Sequence, residues 1–324
     1  MLRRILIVLG VLMLTACGTA ATPTATPPSA VRAIRLPMGY IPSVQYASFY
    51  VAAQKGYFAA EGLKIEFDYS FETDGVQLVG AGQLPFAVVS GEQVLLARAQ
   101  GLPVVYALAW FQKYPVAIIS KAGAGITTPA DLRGHSIGVP VLAGASYVGL
   151  RALLTAGGLT PEDVTIQEVG FNQVEALTAG RVDAAVVYSN NEPVRLAAQG
   201  QALDVIQVSD YAVLAANGLL TNEATIQTEP ELVRGFARAL IHGTQDALAD
   251  PAEAYALSKP FIEGLQDEAV EQQVLAATLA LWKADRLGQT NPQAWENMQA
   301  TLLDAQLLTA PLDLTQAYTN AFVP

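Results

Sequence analysis

Residues Met38–Phe67 read MGYIPSVQYASFYVAAQKGYFAAEGLKIEF, and this stretch decides the fold. Just before it, Val31–Met38 mixes β-branched and charged residues and predicts a first strand. Gly39 and Pro42 break that pattern, and Ser43 offers a side-chain oxygen to cap a helix. Phe49, Val51, Ala52 and Ala53 give an apolar helix that runs to Lys55, where Gly56 stops it. A shorter turn, Phe58–Glu61, ends at Gly62, and Leu63–Tyr69 alternates as a second strand. The order strand, loop, helix, strand predicts a βαβ unit. In such units the loop beyond the first strand faces the crevice where ligands bind, and here it holds Tyr40, Ser43, Gln45 and Tyr46.

The chain has 324 residues, too many for one small core, which predicts two domains. Hydrophobic residues make up 52% and charged residues 15%, and beyond the N-terminus no apolar run reaches the length that spans a bilayer. The net charge of −11 argues against nucleic acid, which needs a basic face. Met1–Cys17 has the layout of an export segment: Arg3 and Arg4, the short apolar run Ile5–Leu14, then Leu14-Thr15-Ala16-Cys17, which matches the bacterial lipobox. Lipid on Cys17 would anchor the mature chain to a membrane outside the cytoplasm. Cys17 is the only cysteine, so the body has no disulfide, thiolate metal cluster or cysteine nucleophile. The Thr/Pro/Ala-rich segment after it is expected as an extended tether (residues 18–32).

The body is expected as two α/β domains, one formed by residues 33–115 with 218–324 and the other by residues 116–217. Pro85–Ser90, Val104–Trp110 and Val116–Ser120 read as buried strands and suggest a parallel sheet covered by helices. After Lys121 the pattern restarts, with strands over His135–Pro140, Val164–Val169, Ala184–Tyr188 and Val205–Val208. Val213–Thr221 reads as a strand returning to the first domain, and Glu229 onward is mostly helical with breaks at Pro251, Pro260 and Pro292. The chain thus crosses between domains near Phe111–Ile118 and near Val213–Leu220, which makes a hinge around a cleft.

Catalytic signatures are missing. His135 and His242 sit in no triad motif, no Walker A sequence occurs, no metal-ligand spacing is visible, and Asp183 reads as a turn residue. Four loops follow strands and open helices: Tyr40–Tyr46, Ser90–Gln93, Leu142–Tyr147 and Ser189–Glu192. They carry no Arg or Lys, which argues against a phosphate or sulfonate. They supply Tyr40, Tyr46, Tyr147 and nearby Tyr188, with Gln45, Ser90, Glu92, Gln93, Ser146, Asn190, Asn191 and Glu192, a set suited to a flat heterocycle with donors and acceptors. Other readings stand beside this one. Tyr40 and Tyr46 also suit surface packing, and Trp110 suits interdomain packing as well as cleft lining. Asn191, Glu192 and Glu92 also suit helix caps and first-turn acids. Trp282 and Trp295, in the helical tail, read as packing residues.

GYIPSVQYASFYVAAQKGYFAAEGL, DLRGHSIGVP, the Gly-Ala-Ser loop and EALTAGRVDAAVVY resemble the NMT1/THI5-like solute-binding proteins over roughly Ile34–Leu240. That resemblance implies a type II periplasmic-binding-protein fold and service to an ABC importer. YIPSVQYASFYVA, FETDGVQLVG, VSGEQVLLARAQGLPVVY, GFNQVEAL and YSNNEPV look most like the riboflavin-uptake (RibY) branch. The resemblance implies Tyr40, Gln45, Tyr46, Ser90, Glu92, Trp110, Ser146, Tyr147, Tyr188, Asn191 and Glu192 as ligand contacts. It implies riboflavin as cargo, a membrane permease as partner, no cofactor and no metal, in a lipid-anchored monomer. A thiamine pyrimidine precursor or another aromatic heterocycle fits the same loops. An enzyme of the pyrimidine-synthesising kind is disfavoured, because the family's fungal enzymes are cysteine-rich where this chain is not, and because of the export segment.

Overall fold

β1 (Arg32–Gly39) runs parallel to β2 (Leu63–Phe71), and the connection between them is built from α1 (Ala47–Gln54) and α2 (Tyr57–Ala60). This is a computed structural model, and it describes residues 31–265 and 267–324. The export segment, the lipobox, Cys17 and the tether up to residue 30 lie outside the described residues. The βαβ opening forms as its residues predict. Ser43 caps a short 3-10 turn, Val44–Tyr46, by accepting from Gln45 N. Gly56 and Gly62 take φ of +77° and +73° at the two stops, a conformation that costs glycine little. β1 begins at Arg32, so the strand starts inside the stretch expected as tether.

The chain continues through α3 (Glu72–Gly80), β3 (Ala87–Val89), α4 (Gly91–Ala99) and β4 (Val104–Ala109). It then crosses into β5 (Val116–Lys121), β6 (Ser136–Val139), α5 (Gly144–Ala156), β7 (Thr165–Glu168), α6 (Gln173–Thr178), β8 (Ala184–Tyr188), α7 (Glu192–Ala198) and β9 (Leu203–Gln207). It returns as β10 (Gly218–Asn222), and the tail is α8 (Glu223–Thr228), α9 (Pro230–Ala249), α10 (Pro251–Ser258), α11 (Glu268–Trp282) and α12 (Pro292–Asp304). Pro251 and Pro292 open their helices, where a missing N–H costs nothing.

Beyond the parallel β1–β2 pair, the two larger sheets contain antiparallel strands, which corrects the expectation of a parallel sheet. β10 lies between β3 and β4 and is antiparallel to both. The other sheet has the order β7-β6-β8-β5-β9, with β6 parallel to β7 and β8, and β5 antiparallel to β8 and β9. The registers give the reason. Gly218, the first residue of β10, faces Val89 and Ala109, the last residues of β3 and β4. Val116, the first of β5, faces Tyr188, the last of β8. The strands that feed helices point their carboxyl ends at the crossing, and the strands that leave the crossing must run against them.

Two α/β lobes joined by two crossings face each other across a cleft, and the carboxyl ends of β3, β4 and β8 open into it. The crossings are not ladder strands. Residues 211–217 are irregular, and Asn217 O is taken by Trp110 N and Phe111 N at 3.1 and 2.9 Å. The expected strand Val213–Thr221 is instead Gly218–Asn222, since residues 213–217 join no ladder and Asn217 O is taken by the other crossing. In β5 the pleat splits two cores: Val116 and Ile118 join the main apolar cluster, while Ala117 and Ile119 face a smaller one with Leu177, Val187 and Leu196.

Candidate ligand-binding site

The loop after β1 delivers Tyr46 to the cleft as part of an aromatic wall. Its ring stacks on Trp110, with centroids 5.2 Å apart and planes 14° from parallel. Phe49 meets the Trp110 ring edge-on at 5.2 Å, Phe111 at 4.5 Å, and Trp282 lies tilted at 5.9 Å. Both polar handles are anchored: Tyr46 Oη donates to Met38 O at 2.7 Å, and Trp110 Nε1 donates to Ser48 Oγ at 3.0 Å. Burial pushes the Tyr46 phenol well above its ordinary range, with the nearby Glu72 carboxylate adding to the effect, so the ring stays neutral.

Beside this wall sit two buried acids. Ser90 follows β3 at the cap position of α4, and its Oγ lies 2.6 Å from Glu72 Oε2 and in contact with Glu92 Oε1. Ser90 N also donates to Glu72 Oε2 at 3.1 Å, and Asn217 Nδ2 donates to Glu72 Oε1 at 3.3 Å. Burial raises the Glu72 carboxyl, offset by the Ser90 bonds. Burial and then the Glu72 charge push Glu92 up to about 8. Tyr114, in the first crossing, and Tyr188, at the end of β8, are held neutral by burial, and both feel the Glu72 and Glu92 carboxyls.

The facing lobe contributes Asn190 and the start of α7. Asn190 Nδ2 donates to Gln45 Oε1 and to Thr278 Oγ1, each at 2.8 Å. Glu192 Oε2 accepts from Tyr188 N at 3.0 Å, and burial raises its carboxyl. Asn191 occupies the helix-cap position without capping, and its Oδ1 accepts from Arg195 Nε at 2.7 Å. Arg195 in turn pairs with Glu271 of α11 at 2.8 Å. Tyr40, 39% exposed, stands at the rim of a groove of about 230 Å³ with Ser43, Gln45, Asn191, Arg195 and Glu271.

Four buried polar atoms in this region have no partner among the described residues: Glu92 Oε2, Asn190 Oδ1, Asn217 Oδ1 and Trp282 Nε1. Three are acceptors and one is a donor. Leaving such a group unpaired costs on the order of 1–3 kcal/mol. No group of three or more His, Cys, Asp or Glu is placed to hold a metal ion among the described residues.

Of the residues expected from sequence, the structure brings Gln45, Tyr46, Ser90, Glu92, Trp110 and Tyr188 to one place and puts Tyr40, Asn191 and Glu192 along its rim. Ser146 and Tyr147 differ. The expected loop Leu142–Tyr147 is helical from Gly144, because small residues fit a first helical turn as well as a loop. Tyr147 lies under the Arg151 guanidinium, 6.0 Å from the ring centroid, and Arg151 reaches to Asp304 of α12. Sequence reasoning missed Glu72, Asn217 and Trp282. Glu72 carried a signal, an acid in the first turn of a helix following a strand, as at Glu92. Trp282 is fully buried, as a packing residue should be, yet its indole N–H is unpaired beside Trp110. Trp295 is packing alone, stacked on Tyr318 and bonded to Thr290.

Two hinged α/β lobes, with aromatic and polar groups at the carboxyl ends of their strands, define the type II periplasmic-binding-protein class. The solved alkanesulfonate-binding protein SsuA of Xanthomonas axonopodis pv. citri, bound to MOPS, shares this fold: its TM-score is 0.71 at 18% identity, over 90% of this chain and 100% of that one. The NMT1/THI5 like family matches residues 43–254, and the chain belongs to that family. It is 43% identical to the riboflavin-binding protein RibY of Chloroflexus aurantiacus (strain ATCC 29366 / DSM 635 / J-10-fl), over 98% of this chain and 96% of that protein. It is 28% identical to the formylaminopyrimidine-binding protein of Halalkalibacterium halodurans, over 97% of each.

Proposed function

We propose that this protein is the extracytoplasmic solute-binding component of an ABC importer, anchored by lipid on Cys17, and that it carries riboflavin in the interdomain cleft to a membrane permease. The observation that carries the reading is the convergence of the Tyr46–Trp110 wall with buried, unpaired acceptors in a chain so similar to a riboflavin-binding protein. An isoalloxazine ring offers a flat face to the wall and N–H and carbonyl groups to the polar atoms. The ribityl chain supplies hydroxyl donors. The flavin is cargo, and the protein works as a monomer without a cofactor. The groove at Tyr40 is smaller than the roughly 300–1,000 Å³ of sites that engulf drug-sized ligands, so the lobes must open to admit a flavin and close on it. Closure then presents both lobes to the permease together.

The contacts proposed are Tyr40, Gln45, Tyr46, Ser90, Glu92, Trp110, Tyr188, Asn191 and Glu192, with Ser146 and Tyr147 at the edge of the second lobe. The lobes divide as residues 33–115 with 218–324, and residues 116–217. A second reading, a receptor for a small pyrimidine, is favoured by the 28% relative that aligns over the same length, and by the modest size of the groove. Similarity to binding proteins over nearly the whole chain supports transport over catalysis. The experiment is a fluorescence titration of riboflavin into the full-length chain in detergent. Saturable one-to-one quenching of flavin emission is expected, weakened at least tenfold by Asn191→Ala. Binding of a formylaminopyrimidine with no flavin quenching would replace the ligand and keep the class.

A further inference from the structure

Ser90 has one hydroxyl hydrogen and two carboxyl groups to satisfy. Its Oγ lies against Glu72 Oε2 and Glu92 Oε1 at once. A hydroxyl can donate to one oxygen; it can meet the other only by accepting. A carboxylate has nothing to donate, so one of the two acids must carry a proton. The remaining contacts say which. Glu72 accepts from Ser90 N, Ser90 Oγ and Asn217 Nδ2, the environment of an anion. Beyond Ser90, Glu92 has only its own backbone N–H and one long contact from Gln93 Nε2 at 3.4 Å, and its Oε2 is buried without a partner. A charged oxygen in that position would be far more costly than a neutral carbonyl.

We propose that Glu72 and Glu92 share a single proton through Ser90, with Glu92 the neutral acid, and that Glu92 Oε2 and Asn217 Oδ1 thereby read an uncharged amide- or imide-type N–H on the ligand. Glu92 donates through Oε1 to Ser90 Oγ, and Ser90 donates to Glu72. The proton makes the cleft floor singly negative and turns a repelling pair into a chain of directed hydrogen bonds. No arginine, lysine or histidine is among the groups that shift either acid. The groups that face them are Tyr46 on the loop after β1, Tyr114 in the first crossing and Tyr188 on β8, all kept neutral by burial. Glu192, at the start of α7, is the next carboxyl toward Tyr188. With no cation to offset it, the floor rejects phosphorylated ligands. Ionisation of Glu92 adds a second charge, and ligand affinity falls as pH rises through about 8.

The ligand half of this proposal rests on the riboflavin reading; the proton half does not, and the test separates them. Infrared spectra of the ligand-free, full-length protein at pH 6 should show a protonated-carboxyl C=O band that is lost in Glu92→Gln and that disappears in the wild type as pH rises toward 9. In Glu72→Gln the midpoint of that loss should move to lower pH, because the like charge is gone. Riboflavin affinity should fall about tenfold between pH 7 and pH 9 in the wild type and stay level in Glu92→Gln, whose amide keeps an acceptor oxygen and donates to Ser90. A band untouched by Glu92→Gln, or an identical pH profile in that variant, overturns the proposal. A band that behaves as expected with no riboflavin bound at any pH supports the shared proton and removes the riboflavin reading.

Discussion

Asn190 reaches from the lobe of β8 to Gln45 on the lobe of β1, its Nδ2 lying 2.8 Å from Gln45 Oε1, and the same amide nitrogen holds Thr278 of α11 at 2.8 Å. One side chain thus ties the mouth of the cleft shut at two points. The bonds are buried, where water cannot compete for them.

Asn190→Ala leaves the buried Gln45 carbonyl and Thr278 hydroxyl short of a partner, at a cost of about 1–3 kcal/mol to the closed form. Small-angle scattering of the ligand-free variant should show a larger radius of gyration than the wild type. An unchanged radius would mean that the tie does not hold the lobes.

Trp110 is both a stacking surface and a hydrogen-bond donor, and the two roles separate. Trp110→Phe keeps an aromatic face against Tyr46 and loses the bond to Ser48 Oγ, so it should cost about 1 kcal/mol in denaturant unfolding. Trp110→Ala leaves a cavity among Tyr46, Phe49, Phe111 and Trp282 and should cost about 3–5 kcal/mol. Equal losses for the two variants would assign the value to the hydrogen bond.

Stability should fall as pH rises from about 4.5 to about 8. The folded state holds Glu92 at about 8, above the 4.5 of an ordinary glutamate. A raised carboxyl binds its proton more tightly when folded than when unfolded. Its contribution is complete below about 4.5 and is lost as pH rises through about 8. The melting temperature of the wild type should therefore drop between pH 6 and pH 9, and Glu92→Gln should flatten that drop. A variant that melts with the wild-type slope would place the titrating group elsewhere.

Gly243 lies where α9 crosses α1. A Cβ there would stand 2.2 Å from Ser48 O and 2.8 Å from the Ala52 Cβ, and backbone cannot yield as a long side chain does. Gly243→Ala should destabilise by about 1–3 kcal/mol despite the higher helix propensity of alanine. Because Ser48 holds Trp110, the variant should also blue- or red-shift the tryptophan emission relative to the wild type; thermal unfolding unchanged from the wild type would refute the close crossing.

Much of the architecture was written in near-neighbour chemistry. The strand, turn and helix at Arg32–Phe71 follow from alternation, a serine cap and glycines at the two stops, all acting over a few residues. The same local signals placed Ala184–Tyr188 as a strand and breaks at Pro251 and Pro292, which in the structure are the first residues of helices. They also brought Gln45, Tyr46, Ser90, Glu92 and Tyr188 forward, since residues just beyond strand ends face a crevice in any α/β unit. Tertiary structure alone decided which polar atoms meet. Gln45 and Asn190 are 145 positions apart, as are Glu72 and Asn217, and no local propensity records such a pair. The antiparallel entry of β5 and β10 likewise depends on where the chain crosses between lobes, and not on the composition of either strand. Pattern along a chain sets the periodicity of burial, whereas hydrogen bonds across a cleft depend on positions that only the folded topology supplies.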